Sequence, residues 1–147
     1  MTHALILVID DDHEEQIIFK EVFSEQNYHS VLYFDSAQGA LAYLTGLHSE
    51  ALFPKLIISD INMPKMSGIE LLQQIRSTSV YKGIPFVMLS TANKREYGEA
   101  CSQLGALEFI QKPDTFAEMK NLARYFTALA NGVPQPPFQQ KPLCVTL

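Results

Sequence analysis

The stretch ALILVIDDDHEEQIIFKEVF, residues 4–23, holds one complete structural unit. Six apolar, β-leaning residues run straight into Asp10, Asp11 and Asp12. Beyond the aspartates, Ile18 and Val22, and Phe19 and Phe23, recur at the four-residue spacing of one helix face. The unit repeats along the chain. Apolar runs return at 31–34 (VLYF), 56–59 (LIIS), 86–89 (FVML) and 107–110 (LEFI). Each is followed by helical spacing. Ala37, Ala40, Leu41 and Leu44 mark the second helix, with Ser36 as its N-cap, and Ile69, Leu72 and Ile75 mark the third. Tyr97, Ala100, Cys101 and Leu104 mark the fourth, with Gly105 just past its end. Phe116, Met119, Ala123, Phe126 and Ala130 mark the last, which ends at Asn131–Gly132. Strands that alternate with helices predict parallel pairing, because the helices are the right-handed crossovers that parallel neighbours require. The predicted fold class is α/β: a doubly wound, flavodoxin-like, five-stranded parallel sheet of strand order 2-1-3-4-5.

Composition closes off other classes. The 147 residues are 47% hydrophobic and 18% charged, enough apolar material for a core without disulfide staples. A net charge of −5, with basic residues scattered along the chain, argues against nucleic acid as a partner. The longest apolar run, Ala4 to Ile9, is too short for a membrane span or a signal peptide. Cys101 and Cys144 make no disulfide framework, so a cytoplasmic domain is expected. His3, His29 and His48 show no ligand spacing. Two segments fall outside the repeat. Residues 46–55 form a long connection into the third strand, and residues 132–147 carry four prolines and cannot be a further βα unit. The chain divides into a folded domain over residues 1–131 and a proline-rich, mobile or loosely docked tail over 132–147. The PxxP at Pro134–Pro137 carries no functional weight, and Cys144 reads as a free thiol.

In a doubly wound sheet, ligands bind outside the carboxyl ends of the strands. Asp10, Asp11 and Asp12 follow the first strand, Asp60 the third, Ser90 and Thr91 the fourth, and Lys112–Pro113 the fifth. Asp35 follows the second, farther out. The topology therefore brings Asp10, Asp11 and Asp60 to one edge, with a hydroxyl and an ammonium beside them. Carboxylates brought together repel and raise one another's pKa unless a cation lies among them, and a hard divalent ion such as Mg²⁺ suits that role. A metal, Lys112 and Ser90 together can receive a phosphoryl group, with Asp60 as the acceptor. Asp12, Glu14 and Glu15 read as an N-cap with favourable first-turn charge.

These residues resemble the receiver domains of two-component response regulators over residues 4–131. LILVIDDD resembles the family's first strand with its acidic pair, Asp10 and Asp11. LIISDINMPKMSGIELL resembles its phosphoacceptor segment, with Asp60 as acceptor and Pro64 and Gly68 in the following loop. MLSTA places the switch hydroxyl on Ser90, a serine where threonine is commoner. FIQKP places the lysine on Lys112 and the switch aromatic on Phe109, where tyrosine is commoner. His13 stands where proline often begins the first helix. The resemblance implies a sensor histidine kinase or histidine phosphotransfer protein as phosphoryl donor to Asp60. It implies Mg²⁺ held by Asp11, Asp60 and the backbone carbonyl of Asn62, with Asp10 contributing partly through water. It implies inward movement of Ser90 and Phe109 on phosphorylation, with a change in the face built by residues 94–131 that is read by a downstream effector protein or by homodimerisation. It also implies a cis Lys112–Pro113 peptide. No output domain follows residue 132, so neither DNA binding nor a catalytic effector is expected, and the long loop and tail resemble small stand-alone regulators paired with phytochrome-type or other sensor kinases. Such a protein is a phosphoacceptor switch, not an enzyme with a separate substrate. The intact set of Asp10, Asp11, Asp60, Ser90 and Lys112 speaks against a degenerate receiver used only for docking, and two further rivals explain less. A phosphohydrolase of the haloacid dehalogenase type would use Asp10 and Asp12 but needs a further acidic pair after the lysine, where only Asp114 and Glu118 follow and neither lies at a strand end. A flavin-binding domain needs a phosphate-cradling loop where Asp10–Asp12 stand.

Overall fold

The computed structural model describes residues 4–92 and 94–138. His3 and Cys144 lie outside them. The chain alternates throughout: β1 (Ile6–Ile9), α1 (His13–Ser24), β2 (Val31–Phe34), α2 (Ala37–Thr45), β3 (Leu56–Ser59), α3 (Gly68–Ser77), β4 (Phe86–Ser90), α4 (Lys94–Gln103), β5 (Glu108–Gln111) and α5 (Phe116–Ala130). The strands form one parallel sheet in the order β2-β1-β3-β4-β5, as predicted. The long 46–55 connection contains a single 3-10 turn, Glu50–Leu52, before Lys55 N–H donates to the Leu5 carbonyl and leads into β3.

The alternation of the pleat explains why the strands read as continuous apolar runs. Leu7, Ile9, Ile57, Phe86, Met88 and Phe109 enter one core layer with residues of α2, α3 and α4. Ile6, Val8, Leu56, Ile58, Val87, Leu89 and Ile110 enter a second layer with α1 and α5. A strand covered on both faces has no polar face to show. Each large side chain buried in these layers contributes about 1.5–3 kcal/mol.

Caps start the helices where the sequence offers them. Asp12 accepts from Glu14 N–H and Glu15 N–H at α1, Ser36 from Gly39 N–H at α2, and Thr115 from Glu118 N–H at α5. Ser67 and Glu70 form a reciprocal capping box at α3. Gly105 terminates the α4 segment at φ +94°, a left-handed conformation suited to glycine. The Lys112–Pro113 peptide is trans, since the described residues contain no cis bond. This corrects the expected cis geometry; trans is the isomer that an X–Pro amide favours by roughly 0.5–1 kcal/mol. The described part of the tail, residues 132–138, docks through Phe138, whose ring lies 5.3 Å from Tyr125 and whose N–H donates to the Glu108 carboxylate at 3.0 Å. Among the described residues no helix is long and apolar enough to cross a membrane.

Candidate functional site

Strand register sets the site. Asp10 N–H donates to the Phe34 carbonyl, Asp60 N–H to the Ile9 carbonyl, and Lys112 N–H to the Ser90 carbonyl, each at 3.0 Å. The residues that leave β1, β3, β4 and β5 are therefore stitched side by side at the carboxyl edge. Asp10, Asp11 and Asp60 each present a carboxylate oxygen there, all within 4.8 Å of one another. Asp10 is buried, Asp60 half-buried and Asp11 exposed, so the cluster opens to solvent on one side. Such oxygen donors suit a hard cation. Asp35 is exposed and outside the cluster, and exposed His13 supplies no ligand to it.

The loop after β3 is shaped by tight backbone contacts. One Asp60 oxygen, Oδ1, accepts from Ile61 N–H at 2.7 Å, and Gly68 N–H donates to the Ile61 carbonyl at 2.8 Å. A Cβ at residue 68 would lie 2.0 Å from the Asp60 carbonyl oxygen, so only glycine permits α3 to begin this close to the strand end. Lys65 takes the turn at φ 69°. Asn62 lies exposed between buried Ile61 and Met63. Across the edge, fully buried Ser90 accepts from Ala92 N–H through its hydroxyl oxygen at 3.1 Å. Phe109 is buried in the layer it shares with Met88 and Cys101.

Lys112 ties these pieces together. Its Nζ donates to Asp10 Oδ2 at 3.0 Å, to Asp60 Oδ2 at 3.2 Å, and to Glu15 Oε2. Burial pulls the ammonium pKa down, but the Glu15 hydrogen bond and the charges of Asp10 and Asp60 outweigh it and raise the pKa above its ordinary value. Burial, with a smaller push from Glu15, raises the Asp10 pKa to about 6, against the Asp12 N–H bond and the nearby Lys112. The expected repulsion between aspartates is thus not the largest cause of this shift; removal from water is.

Glu15 is the site residue that a first-turn reading missed. A signal was present: Glu15, Phe19 and Val22 stand at i, i+4 and i+7, which places Glu15 in line with the core-facing stripe of α1. Gln16, three residues before Phe19, carries the same signal. Its Nε2 donates to the Asp10 carbonyl at 2.7 Å and the Phe34 carbonyl at 3.2 Å, and so pins the helix start to β1 and β2.

Residues 6–124 match the family model for the response regulator receiver domain. The chain is 33% identical over 110 residues to the chemotaxis protein CheY1 of Helicobacter pylori, which covers 75% of this chain and 86% of that protein. It is 31% identical over 123 residues to the two-component response regulator ARR6 of Arabidopsis thaliana, covering 80% of this chain. It spans 66% of ARR6 and 55% of the related ARR3. Among solved structures, the chemotaxis response regulator CheY4 of Vibrio cholerae superposes with a TM-score of 0.70 at 27% identity, covering 86% of this chain and 99% of that one. The phosphorylated cyanobacterial phytochrome response regulator RcpA shares the fold with a TM-score of 0.79 at 24% identity, over 91% of this chain and 98% of that one. A strand topology, an acidic edge and a family match that extends from β1 into α5 agree, and the chain belongs to the response regulator receiver domain family.

Proposed function

We propose that the protein is a phosphorylation switch in which Asp60 accepts a phosphoryl group from a phosphohistidine of a sensor histidine kinase or a histidine phosphotransfer protein. The observation that carries this reading is the convergence of three carboxylates within 4.8 Å on the carboxyl edge, with Lys112 3.2 Å from Asp60. Asp10, Asp11, Asp60 and the Asn62 carbonyl are the proposed ligands of Mg²⁺. The ion, when bound, screens the carboxylates and the incoming phosphoryl charge.

The Asp60 carboxylate oxygen forms a bond to phosphorus as the donor's P–N bond breaks. The electron pair leaves with the imidazole nitrogen, which then takes a proton from solvent. Lys112 offers its ammonium to a phosphoryl oxygen. The Ser90 hydroxyl accepts from Ala92 N–H and so keeps its own proton available for a second phosphoryl oxygen. Ser90 moving toward the new charge lets Phe109 follow along the same sheet edge, and α4, β5 and α5 carry the change to a downstream effector protein or to a homodimer. The switching unit is residues 1–131, with 132–147 as its tail. The protein works in the cytoplasm and acts on no separate substrate.

The test is intact-mass measurement after incubation with a small-molecule phosphodonor. Wild type gains one phosphoryl group with Mg²⁺ and none with EDTA, and Asp60→Ala gains none in either. Labelling of Asp60→Ala as complete as wild type overturns the acceptor assignment.

A further inference from the structure

An ammonium has three N–H donors. Those of Lys112 face three acceptors: Asp10 Oδ2, Asp60 Oδ2 and Glu15 Oε2. Any phosphoryl oxygen that recruits Lys112 must displace one of them. Two of the three lose their hold when the site works as proposed above, a reading on which this inference rests. Asp60 becomes the acyl phosphate, and Asp10 turns its charge to the cation. Glu15 alone stays a full carboxylate with no new partner.

Glu15 is also held in place. Its own N–H donates to the Asp12 cap at 3.4 Å, and the neighbouring Gln16 amide is anchored on the carbonyls of Asp10 and Phe34. Its side chain is only 28% exposed and that of Lys112 10%, so solvent screens the pair far less than a surface ion pair. Glu14, one residue earlier, has the same charge on the same helical turn but is exposed and is not among the acceptors of Lys112.

We infer that Glu15 is a positioning residue that competes with the phosphoryl group for Lys112, and so sets how strongly a phosphorylated Asp60 draws on β5. It holds the ammonium at α1 in the resting site and gives it up only in part when the phosphoryl group arrives.

The probe is beryllofluoride, a phosphoryl mimic, titrated into the full chain at saturating Mg²⁺ and followed by NMR. Saturating metal removes any change in cation affinity from the comparison. Glu15→Gln binds the probe about tenfold more tightly than wild type, the scale of one charge-assisted hydrogen bond. Glu14→Gln stays within about twofold, as an exposed first-turn charge should. In a Lys112→Ala background the Glu15→Gln gain disappears, which a general change in surface charge would not produce. Lys112→Met, which keeps the apolar stem, serves the same cycle if the alanine variant melts too low to assay. Equal affinity in wild type and Glu15→Gln, an equal gain in Glu14→Gln, or a gain that persists without Lys112 overturns the inference. Wild type that does not bind the probe, or binding undiminished in Asp60→Asn, overturns the Asp60 reading and this inference with it. Binding lost in Asp60→Asn but unchanged in Glu15→Gln overturns this inference alone.

Discussion

Asp10 shows at a single residue how the site sets function against stability. Its carboxyl is almost wholly removed from water, and its pKa lies at about 6 instead of 3.8. A carboxyl whose folded pKa is raised is penalised in its charged form, so the metal-free fold carries that penalty above about pH 6. The penalty fades as pH falls through 6 toward 3.8, and below that value folded and unfolded chains are both protonated. Asp10→Asn therefore raises the melting temperature in EDTA at pH 7.5, and the gain shrinks as pH is lowered toward 5. The measurement is a thermal melt of both proteins across that range. A lower melting temperature for Asp10→Asn at pH 7.5 would mean that pairing with Lys112 outweighs burial. The same residue explains why Glu15 escaped a reading by residue type. An acid in the first turn of a helix is ordinarily a dipole partner, and only its alignment with Phe19 and Val22 distinguishes it from Glu14.

At the scale of elements, the β3–α3 connection is the piece with least freedom. Its geometry depends on Gly68, where a methyl group would meet the Asp60 backbone oxygen at 2.0 Å and the Met88 sulfur at 3.0 Å. The first of these neighbours is backbone and cannot rotate away. Gly68→Ala should destabilise the domain by about 1–3 kcal/mol through overpacking, a loss of roughly 2–4 °C in melting temperature per kcal/mol at this size. It should also slow the Mg²⁺-dependent labelling proposed for Asp60, because the displaced atoms belong to that residue. A melt and a labelling time course unchanged from wild type would show that the loop relaxes freely. The strands and helices were legible because burial on both faces leaves apolar runs and burial on one face leaves a helical stripe. Strand ends were less legible. Ala4, Leu5 and Leu107 continue their apolar runs, but the strands themselves cover only Ile6–Ile9 and Glu108–Gln111, with Leu5 and Leu107 each adding one backbone bond at the margin. The place where Phe138 docks was not legible, since the prolines indicated only a mobile or loosely docked tail. It depends on a Glu108 carboxylate that receives both the Tyr125 hydroxyl and the Phe138 N–H, a contact across 30 residues with no local pattern.

For the whole molecule, the acidic edge and the face built by α4 and α5 are joined by one short strand. β5 begins at Glu108, beneath the tail and α5, and passes through Phe109, packed on the α4 side. One residue past its end, Lys112 donates to three carboxylates. A change of partner at Lys112 is thus three residues from the aromatic that contacts the α4 layer. We propose that charge placed on Asp60 reaches residues 94–131 through Lys112. This route is tested by amide NMR spectra of wild type and Lys112→Ala, each with Mg²⁺, before and after beryllofluoride is added to saturation. The prediction is that Ser90, Phe109 and the amides of α4, β5 and α5 shift in wild type, whereas in Lys112→Ala the shifts stop at the loops around Asp10 and Asp60. A Lys112→Ala protein in which Phe109 and the α4–β5–α5 face move as fully as in wild type would contradict it.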